Sequence, residues 1–356
     1  MCIRDSLVPG LHVLAAAPEG AIDHVLWLTG GRAIEERVLS VLPERTTAPS
    51  SVESLPVERA GGGAPGWGRL SLRMPQAILR ARAALARSGS EVLLGLGGHA
   101  SIPAVLAARS LGIPVALLEI NASAGRANRV LARVARRVFH AWPETVGSGP
   151  KHLRLGPPVG PEFDRSRAPW PDVARQKLGF PPDRPLLLVL GGSQGAGGLN
   201  TFIRDHAKNL LGSGICVLHQ VGPGRADEAA SALEGYRAVE YLDDVPLALA
   251  GATLVLARGG ASTLSEIAAM GAPAWIVPYP HHADRHQERN ARQLGGGVRI
   301  VDEADLGSQV ASELVEAVGT EGAGERERMT GALQGAVPGD ASSRVLDELL
   351  ALRRRS

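Results

Sequence analysis

Short apolar runs of about five residues alternate along the chain with longer segments whose apolar positions recur every three or four residues. Uninterrupted apolar runs suit strands buried on both faces, and the longer period suits helices that cover them. In the first half this pattern predicts strands at His24–Leu28, Glu91–Gly95, Val115–Glu119 and Val138–Ala141, with a helix starting near Leu7. Residues 49–68, with Gly61, Gly62 and Gly63, read as a loop. Eight prolines fall within residues 157–185, too many for a long helix or a central strand, so a domain boundary is expected where that stretch begins. The pattern then restarts, with strands predicted at Pro185–Leu190, Ile215–Gln220, Thr253–Ala257 and Ala274–Pro278. An apolar-periodic segment, Ser342–Leu352, ends in three arginines, which suit a helix C-terminus. The expectation is an α/β fold of two Rossmann-like lobes facing a cleft. The first lobe covers 1–158 and the second 159–340, and a C-terminal helix over 341–356 is expected to pack back on the first lobe.

Composition narrows the classes. The net charge of +2 lacks the basic excess of a nucleic-acid-coating protein, so no nucleic-acid partner is expected. The two cysteines, Cys2 and Cys216, make neither a disulfide framework nor a CxxC metal knuckle, and the chain reads as intracellular. No apolar run approaches the ~20 residues of a membrane span, and no signal-peptide pattern is seen at the N-terminus. The opening residues MCIRDS fit nothing that follows and read as a non-native leader.

Three glycine-rich turns carry chemistry. Gly191-Gly192-Ser193-Gln194-Gly195-Ala196 follows a predicted strand and opens a helix, an arrangement that offers free N–H groups to a pyrophosphate. A tight βα connection would use the same residues, so this turn alone is weak evidence. Gly95-Leu96-Gly97-Gly98-His99-Ala100-Ser101 repeats the arrangement in the first half. One such turn in each half, at the C-terminal end of a strand, says more, because open α/β sheets bind ligands there. The richest string runs from Arg258 through Gly259, Gly260, Ala261, Ser262, Thr263, Leu264, Ser265 and Glu266 to Pro273. Its glycines and hydroxyls open a helix, and Glu266, one to two turns in, can accept from a pair of sugar hydroxyls such as those of ribose. Downstream lies Pro278-Tyr279-Pro280-His281-His282-Ala283-Asp284-Arg285-His286-Gln287, then Asn290-Ala291. Only His282 and His286 have helical i, i+4 spacing, across a loop–helix junction, so a metal site is disfavoured. A polar loop meeting a sugar fits better, with Gln287 as a hydroxyl-reading amide.

The order GGSQG, YLDD (Tyr241–Asp244), RGGASTLSEIAAMGAP and PYPHHADRHQ-x-x-NA resembles the MurG family. In the first half LVPGL (Leu7–Leu11), GLGGHAS, GIPVALLEIN and GPPV (Gly156–Val159) follow the same family's order, so the resemblance spans nearly the whole chain. It implies the GT-B glycosyltransferase architecture. It also implies transfer of N-acetylglucosamine from UDP-N-acetylglucosamine to lipid I, the lipid-linked muramyl acceptor, giving lipid II for peptidoglycan. Ser193, Leu242 and Ala261 to Glu266 would hold UDP, with the Leu242 backbone on uracil and Glu266 on ribose. Gln287 and Asn121 would read the N-acetylglucosamine, and Gly97, Gly98 and Ser101 would line the diphosphate and acceptor side.

Four departures stand out. MCIRDS occupies the place of the family's first strand and its GGTGGH loop, so the loop His is absent. Leu118-Glu119-Ile120-Asn121 replaces His-Glu-Gln-Asn. Gly156-Pro157-Pro158-Val159-Gly160 replaces Gly-Asn-Pro-Val-Arg. His99 stands where an aromatic is usual.

The implied reaction is an inverting displacement, in which a base takes the acceptor's proton while N–H groups stabilise the leaving diphosphate. No cofactor is implied, and no Asp-x-Asp pair suggests a catalytic metal. His99 and Glu119 are the candidate bases. His99 also reads as filling an aromatic's place, and Glu119 as orienting a neighbour. Two rivals stay open: a UDP-sugar 2-epimerase of the same architecture and a non-catalytic UDP-sugar-binding protein. With the first loop absent, the chain as written is expected to bind the donor weakly and transfer poorly. Residues 67–87 mix Trp67, Leu70, Leu72, Met74, Ile78 and Leu79 with Arg69, Arg73, Arg80, Arg82 and Arg87. A basic amphipathic segment of this kind suits an anionic surface, and an ordinary helix packing on the lobe would use the same pattern; the lipid-linked acceptor favours the surface. The expected location is therefore cytoplasmic, peripheral on the inner face of the cell membrane.

Overall fold

The protein is described by a computed structural model over residues 4–40, 48–57, 64–98, 100–145, 147–192, 194–226, 233–281 and 284–353. It divides into two compact units, one made of residues 3–160 with 340–356 and the other of 161–339.

The first unit begins with helix α1 (Arg4–Ala15), strand β1 (Val25–Thr29), helix α2 (Ala33–Leu39) and strand β2 (Ser50–Ser54). Helix α3 (Ala64–Arg87), strand β3 (Leu93–Gly95), helix α4 (Ser101–Ser110) and strand β4 (Val115–Glu119) follow. Helix α5 (Arg126–Leu131) and strands β5 (Arg137–His140) and β6 (His152–Arg154) complete its sheets. All pairings are parallel, but they form two separate sheets, β1-β2 and β3-β4-β5-β6. The stretch at 49–68 is therefore not all loop. It holds β2, which pairs with β1 from Val25↔Ser50 to Thr29↔Ser54, and the start of α3. Four of the five β2 side chains are exposed, so this edge strand leaves no apolar signal.

The second unit holds helix α6 (Pro171–Lys177), strand β7 (Leu186–Leu190), helix α7 (Gly197–Gly212), and strands β8 (Cys216–Gln220) and β9 (Tyr236–Val239). Helix α8 (Val245–Gly251), strand β10 (Leu254–Ala257), helix α9 (Ala261–Met270), strand β11 (Ala274–Ile276), helix α10 (His286–Arg292) and strand β12 (Val298–Ile300) continue it. Helices α11 (Ser308–Val318) and α12 (Ala323–Leu333) close the unit. Its six strands are parallel in the order β12-β11-β10-β7-β8-β9. Every residue of β7, β8 and β10 is buried, as a sheet covered by helices on both faces requires. Leu199, Phe202, Ile203 and Leu210 of α7 pack with Leu187, Val189 and Val217 in one core.

The proline-rich stretch forms two single-turn 3-10 segments, Pro161–Phe163 and Arg165–Arg167, and the seven-residue α6, with Pro171 in its first turn where no N–H is missed. The last helix, α13 (Ala341–Leu350), belongs to the first unit. Val345 and Leu346 are buried, Ser342 Oγ donates to the Val159 carbonyl at 2.8 Å, and Arg137 pairs with Glu348 at 3.5 Å.

Candidate functional site

In the second unit the chain leaves β7 for β8 on one side and later returns to β10 on the other, so the winding reverses between β7 and β10. Such a reversal leaves the connections at the strands' C-terminal ends splayed apart, and open α/β sheets bind ligands in that crevice. Gly191–Ala196 follows β7 and Arg258–Gly260 follows β10, so the two glycine turns flank the switch point.

Helix α9 starts from the second turn, with Gly260 as its cap residue. Ser262, Thr263, Ser265 and Glu266 are all buried, Glu266 to 1% exposure. Ser265 Oγ donates to the Ala261 carbonyl at 2.8 Å, so this hydroxyl is spent within its own helix. The Ala261 and Leu264 side chains lie in the core and offer a ligand only their backbone. Gly259 is required sterically, because a Cβ there would collide with the Gln287 carbonyl oxygen. That contact docks the start of α10 on the glycine turn, and Asn290 Nδ2, fully buried, secures it by donating to the Gly259 carbonyl at 3.2 Å. Gln287 Oε1 accepts from the Tyr279 N–H at 2.9 Å, which fixes the orientation of its amide.

At this end of the sheet the structure adds contacts that the sequence did not show. Arg258 donates to the Val277 carbonyl at 3.0 Å and pairs with Glu303 at 2.6 Å, tying the turns after β10, β11 and β12 together. Arg285, just before α10, is a non-glycine residue at φ 45°, a conformation that costs about 1 kcal/mol and recurs at ligand loops. Leu242, after β9, is buried, and Asp244 accepts from the Leu247 N–H at 2.9 Å as the cap of α8. Ser193, the remaining donor-side candidate, lies outside the described residues.

In the first unit, Gly97 and Gly98 follow β3 at φ 82° and 80°, a region side chains avoid. Ser101 Oγ donates to the Gly97 carbonyl at 2.6 Å and braces the turn from the first residue of α4. Glu119 ends β4 and is 3% exposed. Its Oε1 accepts from the Asn121 N–H at 3.0 Å and Asn121 Nδ2 at 3.2 Å; its Oε2 accepts from the Gly125 N–H at 2.9 Å and Asn128 Nδ2 at 3.0 Å. Four donors on one buried carboxylate hold the 121–125 loop in place and leave little lone-pair capacity for a substrate proton. Asn128, which the sequence did not point to, joins this network to the glycine turn: a Cβ on Gly97 would lie 3.5 Å from its Nδ2. His99 lies outside the described residues.

Comparison with known proteins agrees with this geometry. Residues 27–140 match the glycosyltransferase family 28 N-terminal domain and 186–336 its C-terminal domain. The chain is 37% identical over 325 residues to a UDP-N-acetylglucosamine–N-acetylmuramyl-(pentapeptide) pyrophosphoryl-undecaprenol N-acetylglucosamine transferase of Mycobacterium sp. (strain KMS), covering 88% of this chain and 82% of that protein. It is similar to the crystal structure of Acinetobacter baumannii MurG, with a TM-score of 0.69 and 27% identity over 97% of this chain and 96% of that one. It also resembles a UDP-N-acetylglucosamine 2-epimerase structure from Listeria monocytogenes, TM-score 0.66, at 16% identity over 96% of this chain and 91% of that one. That likeness concerns the fold alone.

Proposed function

Since the chain belongs to the MurG family of glycosyltransferase family 28, we propose that its second lobe holds the UDP-sugar at the β7/β10 switch point and its first lobe serves the acceptor. The protein is a hexosyltransferase that moves N-acetylglucosamine from UDP-N-acetylglucosamine to the muramyl sugar of lipid I, forming lipid II. The observation that carries the donor assignment is the pair of glycine turns flanking the reversal of winding, with the polar start of α9 continuing from the second.

N–H groups at the start of α9 and α7 oppose the charge that develops on the leaving diphosphate. Glu266 accepts from the ribose hydroxyls, Leu242 meets uracil through its backbone, and Ser193 contacts the diphosphate. The Gln287 NH2 and Asn121 read the N-acetylglucosamine. Gly97, Gly98 and Ser101 form the acceptor-side turn. Glu119 acts as a positioning residue for the Asn121–Gly125 loop, and His99 is the candidate to take the acceptor's proton.

The location proposed is the cytoplasmic face of the membrane. Among the described residues no helix is long and apolar enough to cross a membrane. Helix α3 presents Leu79 at 67% exposure beside the exposed Arg73, Arg80 and Arg87, a pairing of apolar and cationic groups that suits an anionic lipid surface. Trp67, Arg69, Leu70 and Leu72 fall where side chains are not described.

The test is transfer of labelled N-acetylglucosamine from its UDP donor to a lipid I analogue. Acceptor-dependent UDP release is expected. Donor consumption without acceptor would instead indicate epimerisation or hydrolysis, and UDP binding without turnover would indicate a binding protein.

A further inference from the structure

Glu303 touches the elements on both sides of the β7/β10 switch point. It follows β12 in a single 3-10 turn, Glu303–Asp305. A Cβ on Gly198, in the first turn of α7, would collide with Glu303 Oε1, so that oxygen rests on the helix that opens from the Gly191–Ala196 turn. The other oxygen, Oε2, is buried and lies 2.6 Å from Nη1 of Arg258, on the turn after β10.

Arg258 is held by one nitrogen. Its Nη1 donates to the Val277 carbonyl at 3.0 Å and lies 3.4 Å from the Pro278 carbonyl, in addition to pairing with Glu303. The guanidinium carbon lies 5.7 Å from the centre of the Tyr279 ring, within range of a cation–π contact. Among the described residues no acceptor meets its Nε or Nη2. Arginine takes phosphate oxygens through two parallel N–H groups, and the Nε–Nη2 edge is such a pair. The side chain is 8% exposed, so it lacks the rotamer freedom of a surface arginine.

A carboxylate next to a diphosphate site repels the ligand, an effect that the positive end of α7 offsets only in part. Its presence there is explained by what it holds. We propose that Glu303 is a positioning residue for the donor: braced against α7, it fixes Arg258 by Nη1 and so sets the Nε–Nη2 edge for bidentate contact with the diphosphate oxygens. This role rests on the donor reading given above for the same crevice.

The test is calorimetry on the full chain with two probes, UDP and uridine, which differ by the diphosphate. Glu303→Ala should weaken UDP about tenfold and leave uridine within about twofold, because the base and ribose contacts are untouched. Glu303→Gln fills the same space without the charge and should weaken UDP in the same sense, by less. Arg258→Ala should weaken UDP too, and adding Glu303→Ala to it should cause no further loss, since no guanidinium is left to aim. UDP binding that is unchanged or tighter in Glu303→Ala would overturn the positioning role, the second result marking the carboxylate as a repelling charge. So would equal losses for UDP and uridine, which mark damage to the whole lobe, or a full further loss in the Arg258→Ala background. Glu266→Ala, at the ribose, keeps the two readings apart. It should weaken both probes, and if it changes neither while Glu303→Ala also changes neither, the donor site itself lies elsewhere.

Discussion

Replacing Glu119 with Gln separates holding a loop from moving a proton. The substitution keeps the shape and one acceptor oxygen but turns the other oxygen into an NH2. Whichever way the amide is oriented, that NH2 faces two donors: the Asn121 N–H and Nδ2, or the Gly125 N–H and Asn128 Nδ2. Hydrogen bonds to a charged group contribute ~1.5–3 kcal/mol each, and a buried unsatisfied donor costs ~1–3 kcal/mol. Two lost bonds, partly relieved by movement of the exposed end of the loop, give a destabilisation of about 3 kcal/mol. For a unit of this size that lowers the melting temperature by roughly 6–12 °C. The local readout is hydrogen exchange: the Gly125 amide, protected in the parent, should exchange at least about tenfold faster in Glu119→Gln. Activity should fall chiefly through a raised KM for the acceptor, because the loop is loosened while the chemistry is intact. A variant as stable as the parent, with Gly125 still protected and kcat down ~10²-fold or more, would show that Glu119 acts on the reacting proton and would refute the positioning role.

Glu266→Ala should weaken UDP binding roughly ten- to a hundredfold through loss of charged hydrogen bonds to ribose, and calorimetry with UDP on both proteins reads this directly. Gly259→Ala should cost about 1–3 kcal/mol, because its Cβ would run into the Gln287 carbonyl and push α10 off the turn; a denaturant midpoint together with UDP affinity checks it. His219 is 1% exposed, and burial lowers its pKa from 6.5 to about 4. Its Nε2 lies 3.1 Å from Asn200 Oδ1 and its Nδ1 2.9 Å from the Tyr236 hydroxyl. Below pH 6.5 the unfolded chain takes up a proton that the folded chain refuses. Stability should therefore be full above pH 6.5 and fall by about 3 kcal/mol as the pH drops towards 4. The slope in pH-dependent melts should flatten in His219→Gln. Co-sedimentation with anionic vesicles at low salt should capture the protein, and replacing Leu79, Arg80 and Arg87 with Ala, Gln and Gln should release it; no binding by the parent would remove the membrane assignment.

The elements most legible in the sequence are those whose signal is local. The runs VALLE, PLLLVL and ICVLHQ are buried on both faces, so each side chain in them reports burial without reference to a neighbour, and strands form at Val115–Glu119, Leu186–Leu190 and Cys216–Gln220. The glycine turns were legible for a similar reason, since positive φ at Gly97 and Gly98 and the tight approach at Gly259 select one residue type. Edge strands were not. β2 keeps most of its side chains in solvent, and β6 and β12 are three residues long, so pairing with a neighbour makes them strands and periodicity does not. Within the site, Glu119 was visible as a residue, but its role depends on Gly125 and Asn128, six and nine positions away, folding back to donate to it. The clasp of Arg258 on Glu303 spans 45 residues and joins three separate βα turns. A sequence shows which side chains need burial or a particular backbone angle; which donors meet which acceptors is decided only when distant segments are brought to within a few ångströms.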